Sequence, residues 1–176
     1  MAEPWTIRAA GRRAGGFTFI EVMIVVATLA IIATLVLPMV TSTETARLRA
    51  AARLLVADIE YAQIESMAHG DDPRILVLDA ANDAYRIATV SAPDVPITSS
   101  LGSTPYETVF GADRAACLTG VTISGFSLDG DDRLGFGRYG SLDQLTPATI
   151  TLACGGRTIT ITIDTDTGEA TVGPVQ

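Results

Sequence analysis

From Phe17 to His69 the chain runs 53 residues without a glycine and with one proline, Pro38, whereas 13 of its 16 glycines follow His69. Glycine and proline are the residues least tolerated inside a helix, so this stretch predicts one long α-helix. Pro38 has no amide donor and crowds the carbonyl four residues back. It therefore either kinks or opens the helix, or is tolerated as prolines are in membrane helices. The first 24 residues of the stretch, Phe17–Val40, are apolar and carry a single charge, Glu21. As a helix they would extend about 36 Å, enough to cross a hydrocarbon core of about 30 Å.

Arg12-Arg13-Ala14-Gly15-Gly16 precedes this run. A secretory signal core is about 7–15 residues long and ends at a small-x-small cut site, so the run is too long for one. A twin-arginine export signal fits the arginine pair but not the length and hydrophobicity behind it. A plain signal anchor explains the length and the basic flank, yet has no use for Glu21. A charge in the bilayer core costs about 2.5–3.5 kcal/mol even on insertion scales, which makes Glu21 a candidate functional residue. The bland alternative is a carboxylate that snorkels to the nearby interface. Arginine on the N-terminal side predicts a cytoplasmic N-terminus, with residues 41–176 outside.

Gly16-Phe17-Thr18-Phe19-Ile20-Glu21 resembles the processing site of type IV prepilins and type II secretion pseudopilins. The shared pattern is a basic leader, a small residue at the cut, Phe next, Glu as the fifth residue after the cut, and a long apolar run. The resemblance implies a leader of residues 1–16, cleavage between Gly16 and Phe17 by a prepilin peptidase, and N-methylation of Phe17. It also implies an assembly role for Glu21, whose carboxylate would meet the methylated Phe17 amine of a neighbouring subunit. That amine is created only by cleavage. An ion pair is stronger in low dielectric than in water, but desolvation cancels much of the gain. Its expected value therefore lies in fixing the stagger between subunits. Type IV pilins often carry a proline 17 residues after the Glu, where the helix can loosen on assembly, and Pro38 occupies that place.

Beyond Val40 the pattern changes. Leu48, Ala52, Leu55, Ile59, Ala62 and Ser66 recur at steps of four and three, the signature of a helix with one buried stripe. Arg49, Arg53, Glu60 and Gln63 fall on another side and are expected to face water. The stripe is short and rich in alanine, which favours packing on the chain's own sheet over a free-standing coiled coil. His69-Gly70-Asp71-Asp72-Pro73 supplies a helix stop. Arg74–Asp79 and Tyr85–Val90 read as a hairpin around a polar turn, and 91–105, with three prolines and four serines, as a long loop. Val121–Ser127, Arg133–Phe136, Thr149–Ala153 and Arg157–Ile163 are further strand candidates, the last alternating strictly between Thr and Ile. Gly155-Gly156 reads as the tight turn joining the final pair.

The predicted fold class is α+β and pilin-like, with a long N-terminal helix packed on antiparallel β-sheet. Its parts are a leader (1–16), a transmembrane segment (17–40), an amphipathic periplasmic helix (41–69) and a β-rich globular domain (71–176). The segment Arg53–Gln63 and the later order of strands and glycines resemble minor pseudopilins of the GspH/FimT class. This implies a structural subunit of a type II secretion pseudopilus at the inner membrane. Implied partners are major and minor pseudopilins, the prepilin peptidase, an assembly platform and an assembly ATPase. The rival reading is a minor pilin of a type IV pilus, active in pilus biogenesis, adhesion or DNA uptake.

Without residues 1–16 the chain has nine arginines, no lysine and nineteen acids, a net charge of −10. Such a surface repels phosphate backbones and disfavours nucleic acid as a partner. Cys117 and Cys154 lie past the apolar run, where a disulfide is permitted; they are either paired or two free, buried thiols. Asp164-Thr165-Asp166-Thr167-Gly168-Glu169 departs from EF-hand spacing and reads more simply as a hairpin turn, as does Asp129–Asp132, so no metal or other cofactor is expected. His69, the only histidine, sits at the predicted helix end without a catalytic context, and no enzyme activity is expected.

Overall fold

A computed structural model of the chain describes residues 18–98 and 104–176, apart from the side chains of residues 34–42. The chain divides into two units, Met1–Met39 and Val40–Gln176. Helix α1 is Phe19–Ala68, and the Pro38 side chain lies outside the described residues. The leader and both cut-site residues, Gly16 and Phe17, also lie outside them. In the first unit, residues 18–33 are exposed on every side, including Phe19, Ile20, Leu29 and Ile31. Among the described residues, no helix is long and apolar enough to cross a membrane. Of the expected span 17–40, residue 17 and the side chains of 34–40 are not described.

In the second unit the stripe on α1 is buried as its spacing predicts. Leu48, Ala52, Leu55, Ile59, Ala62 and Ser66 are all fully inaccessible to solvent, and Ala51 joins them. They share one core with residues of two antiparallel sheets. The first sheet has the order β3-β2-β1-β6, built from β1 (Arg74–Asp79), β2 (Ala84–Thr89), β3 (Ala92–Pro96) and β6 (Arg133–Gly135), with β4 (Glu107–Val109) also paired to β2. The second has the order β5-β7-β8-β9, from β5 (Thr122–Ser127), β7 (Ala148–Cys154), β8 (Arg157–Ile163) and β9 (Ala170–Val172). Along β8, Ile159, Ile161 and Ile163 turn inward, and Gly155-Gly156 closes the β7–β8 turn with φ of 59° and 81°.

Two expectations change. The segment 91–105 is not simply a loop: it holds β3 and a bridge between Thr98 and Pro105, with residues 99–103 outside the described set. Pro93 and Pro96 are compatible with a strand because β3 lies at a sheet edge, where a missing donor interrupts no ladder. Gln63 is not a purely solvent-facing residue. Its amide nitrogen donates to the carbonyls of Gly140 (2.7 Å) and Thr167 (2.8 Å), stitching two loops to the helix. Ser66 does the same at the helix end, donating to the Arg74 carbonyl (2.8 Å) and accepting from the Arg74 amide (2.9 Å).

Gly168 is buried at φ 67°, and a β-carbon there would collide with the Gly140 carbonyl and the Gln63 amide. Left-handed backbone costs an L-residue about 1–2 kcal/mol before any collision. Gly168→Ala should therefore lower stability by about 2–3 kcal/mol, read by near-ultraviolet circular dichroism during urea unfolding of the full chain in detergent. An unchanged midpoint would show that the Gln63 bridge is not needed.

Candidate functional site

The start of α1 carries the one charged residue of the apolar run. Glu21 sits in the first helical turn and forms a reciprocal pair with Thr18: the Glu21 amide donates to Thr18 Oγ1 (3.3 Å), and the Thr18 amide donates to Glu21 Oε2 (3.4 Å). This is a capping box, which satisfies two amides that have no partner within the helix. Glu21 therefore has a local structural role that the cleavage motif does not reveal. The Thr-x-x-Glu spacing was the available signal. Pro38 is far along the same helix and is not brought together with Glu21 by the helix spacing, since 17 residues of α-helix rise about 25 Å.

A second polar cluster lies in the core, and periodicity alone passes over it. Asp58 falls three residues after Leu55 and four before Ala62, on the edge of the buried stripe, and is only 3% exposed. Its Oδ2 accepts from the Tyr85 hydroxyl (2.6 Å) and its Oδ1 from the Tyr106 hydroxyl (2.8 Å). Arg114 makes an ion pair with the same carboxylate and also donates to Thr108 Oγ1, through Nε at 2.7 Å. The Arg114 guanidinium lies 4.7 Å from the centre of the Tyr106 ring, and that ring stacks on Tyr61 at 5.0 Å. One helical carboxylate thus gathers β2, the β4 region and the short 3-10 helix Asp113–Leu118. A lone acid on a core-facing stripe, in a chain that has no lysine, was the signal that could have found it.

The environment shows in the phenols. Burial first, then the Asp58 charge, pushes the Tyr85 hydroxyl far above its ordinary value of 10.0. Burial and the hydrogen bond to Asp58 also raise Tyr106, against the opposing pull of Arg114. The two cysteines considered as a pair are free thiols in this structure: Cys117 is exposed on the 3-10 helix, while Cys154 is buried at the end of β7. His69 follows the helix end, its Nδ1 3.0 Å from the Glu65 carbonyl and 3.3 Å from the Glu65 carboxylate. Asp164 turns its Oδ1 onto its own loop, accepting from the Asp166 amide (3.1 Å), the Thr167 amide (3.0 Å) and the Thr167 hydroxyl (2.9 Å). These bonds, the Thr167 amide foremost, lower its carboxyl below the usual range. Residues 164–168 are an Asx-stabilised turn between β8 and β9.

No protein-family model matches the sequence, and no curated protein is significantly similar to it. Solved structures are similar in three dimensions. The minor pseudopilin EpsH of the Vibrio cholerae type 2 secretion system superposes with a TM-score of 0.51 at 14% identity, covering 72% of this chain and 96% of that one. The type IV minor pilin FimU of Pseudomonas aeruginosa gives a TM-score of 0.51 at 20% identity, covering 75% and 92%. The chain has a pilin-like fold. A long helix packed on antiparallel sheets is what the glycine distribution and the buried stripe predict, and the pilin-like α+β class that the resemblance implies stands.

Two outcomes follow from the Asp58 cluster. Asp58→Leu leaves Arg114 without its counter-charge and the buried Tyr85 and half-buried Tyr106 hydroxyls without their acceptor, and should cost about 3 kcal/mol in urea unfolding; a change below about 0.5 kcal/mol would remove the cluster's structural role. The second concerns pH. The folded state holds the Tyr85 and Tyr106 protons more tightly than the unfolded chain, whose phenols ionise near 10. Stability is thus fully present below about pH 10 and lost as pH rises through the folded values. Melting temperature should fall across that window, with a shallower fall in Tyr85→Phe.

Proposed function

We propose that this chain is a minor pseudopilin, a structural subunit of a type II secretion pseudopilus. The observation that carries the reading is the joint presence of a pilin-like fold and, at the start of its long helix, the sequence Gly16-Phe17-Thr18-Phe19-Ile20-Glu21. On this reading prepilin peptidase cuts after Gly16 and methylates the new Phe17 amine. Residues 17–40 anchor the subunit in the inner membrane, and 71–176 stand in the periplasm. The apolar side chains exposed around residues 18–33 are supporting evidence, since a helix that is apolar all round belongs in lipid or among other apolar helices.

Assembly then has a physical order. Cleavage converts an uncharged amide into a cationic amine, and only then does Glu21 of a neighbouring subunit have a counter-charge within the low-dielectric layer. Major and minor pseudopilins, an inner-membrane platform and its ATPase are the partners in this scheme, and the protein's role is structural and not catalytic. The likeness to FimU favours a second reading, a minor pilin of a type IV pilus, on the same helix chemistry. DNA capture fits that variant poorly, because the C-terminal stretch Asp164–Gln176 carries three acids and no arginine.

The capping box allows a discriminating test. Glutamine serves at the third helical position of a capping box as glutamate does, but carries no charge. Glu21→Gln should preserve helix content and peptidase cleavage while cutting incorporation into sheared filaments at least tenfold. Wild-type incorporation of Glu21→Gln would mean that Glu21 acts as a cap, and would overturn the charge-pairing role.

A further inference from the structure

The second sheet runs out of cover at its β9 edge. Ile161 and Val172 lie directly opposite each other on neighbouring strands and so share a face. Ile161 is fully buried, while Val172 remains 43% exposed. β9 is the last strand of its sheet, and its backbone is only half used. The Gly173 amide donates to the Thr160 carbonyl, and the Asp164 amide to the Glu169 carbonyl. By antiparallel alternation, this turns the amides and carbonyls of Ala170 and Val172 away from β8. Among the described residues those outward groups have no partner.

Beside this edge lies a groove of about 350 Å³ between α1 and the C-terminal strand, lined by Arg49, Arg53, Ile159, Val172, Pro174 and Val175. Among the described residues, no acidic side chain lines it. Arg49 and Arg53 are one helical turn apart and exposed, and among the described residues neither has an ion-pair or hydrogen-bond partner. In a chain with twenty acids and no lysine, two unpaired arginines beside an open strand edge and an apolar wall are a selective feature. An open edge beside a groove is the setting in which an extended peptide adds to a sheet. Main-chain bonds then give affinity, and side-chain contacts at alternate positions give specificity.

We infer that the groove takes an extended segment of a partner protein as an antiparallel strand beside β9, its inward side chains acidic around one apolar residue. The apolar residue sits opposite Val172 and covers it, extending the buried layer that ends at Ile161. Inward positions on a strand recur about every 6.8 Å, and Arg49 and Arg53 are separated by about 6 Å of helix, so carboxylates at alternate positions reach both guanidiniums. Pro174 has no amide to donate, which limits the ladder to residues 170–173 and leaves the arginines to hold the rest of the segment. A short ladder with exposed ion pairs makes a weak contact that salt weakens further. The groove contains neither Glu21 nor any part of the apolar run, so the inference stands apart from the filament role.

The test is an NMR titration of the isotope-labelled full chain in detergent micelles with the capped peptide Glu-Thr-Glu-Thr-Val-Thr-Glu-Thr-Glu, which is symmetric about its valine. The expected amide shifts centre on residues 49–53 and 170–175, with the Val172 amide moving downfield and exchanging more slowly with solvent. Arg49→Glu together with Arg53→Glu should weaken binding at least tenfold, and lysine in place of each peptide glutamate should restore binding to that variant. Methylating the nitrogen of the peptide's valine removes the donor to the Val172 carbonyl and should weaken binding to the unaltered chain at least fivefold. No shifts, shifts centred elsewhere, indifference to the arginine reversal, or an N-methylated peptide that binds as well as its parent would each overturn the strand addition. The filament assay with Glu21→Gln involves none of these groups, so either reading can fail while the other stands.

Discussion

One face of α1, from Leu48 to Ser66, is the surface on which both sheets close. Helical spacing places its leucines, isoleucine and alanines in a single stripe, and the inward sides of β1, β2, β7 and β8 complete the same core. Without that stripe neither sheet has an apolar layer to cover its inner face, since a two-layer domain is stabilised by what its layers bury between them. The small residues Ala51, Ala52 and Ala62 are as fully buried as the large ones, and small side chains let facing elements approach closely in a close-packed core.

Apolar burial gives cohesion but little direction. Direction comes from polar ties set along the stripe: Asp58 near its middle, Gln63 and Ser66 near its end. Each uses a helical side chain to satisfy groups from distant segments, and each would be costly to leave half made. Asp58 is the most demanding of the three. A buried carboxylate is tolerated only when paired and hydrogen-bonded, and here Arg114, Tyr85 and Tyr106 supply those partners from three different elements.

Much of this was legible in advance, for reasons that lie in local chemistry. Strict Thr–Ile alternation gave Arg157–Ile163 its exact bounds, and paired glycines with positive φ gave the turn before it. The segment after residue 91 was harder, because two prolines argue against a strand unless it lies at an edge, and edge status is a property of the whole sheet. The helical angle of Gln63 lies off the stripe and points to solvent, but loops 77 and 104 residues away come back to meet it. At the helix start, the same Glu21 that matches a processing motif also closes a capping box with Thr18.

The sequence by itself determined the long helix, its buried face, the order of most strands and the candidate processing site, since periodicity, glycine placement and a charge among apolar residues are all local signals. Only the tertiary structure decided what the off-pattern residues do. Asp58 became a junction and Gln63 a bridge. Those roles depend on partners many residues away, and the free energy of a polar group is set by the partner it finds when water is removed.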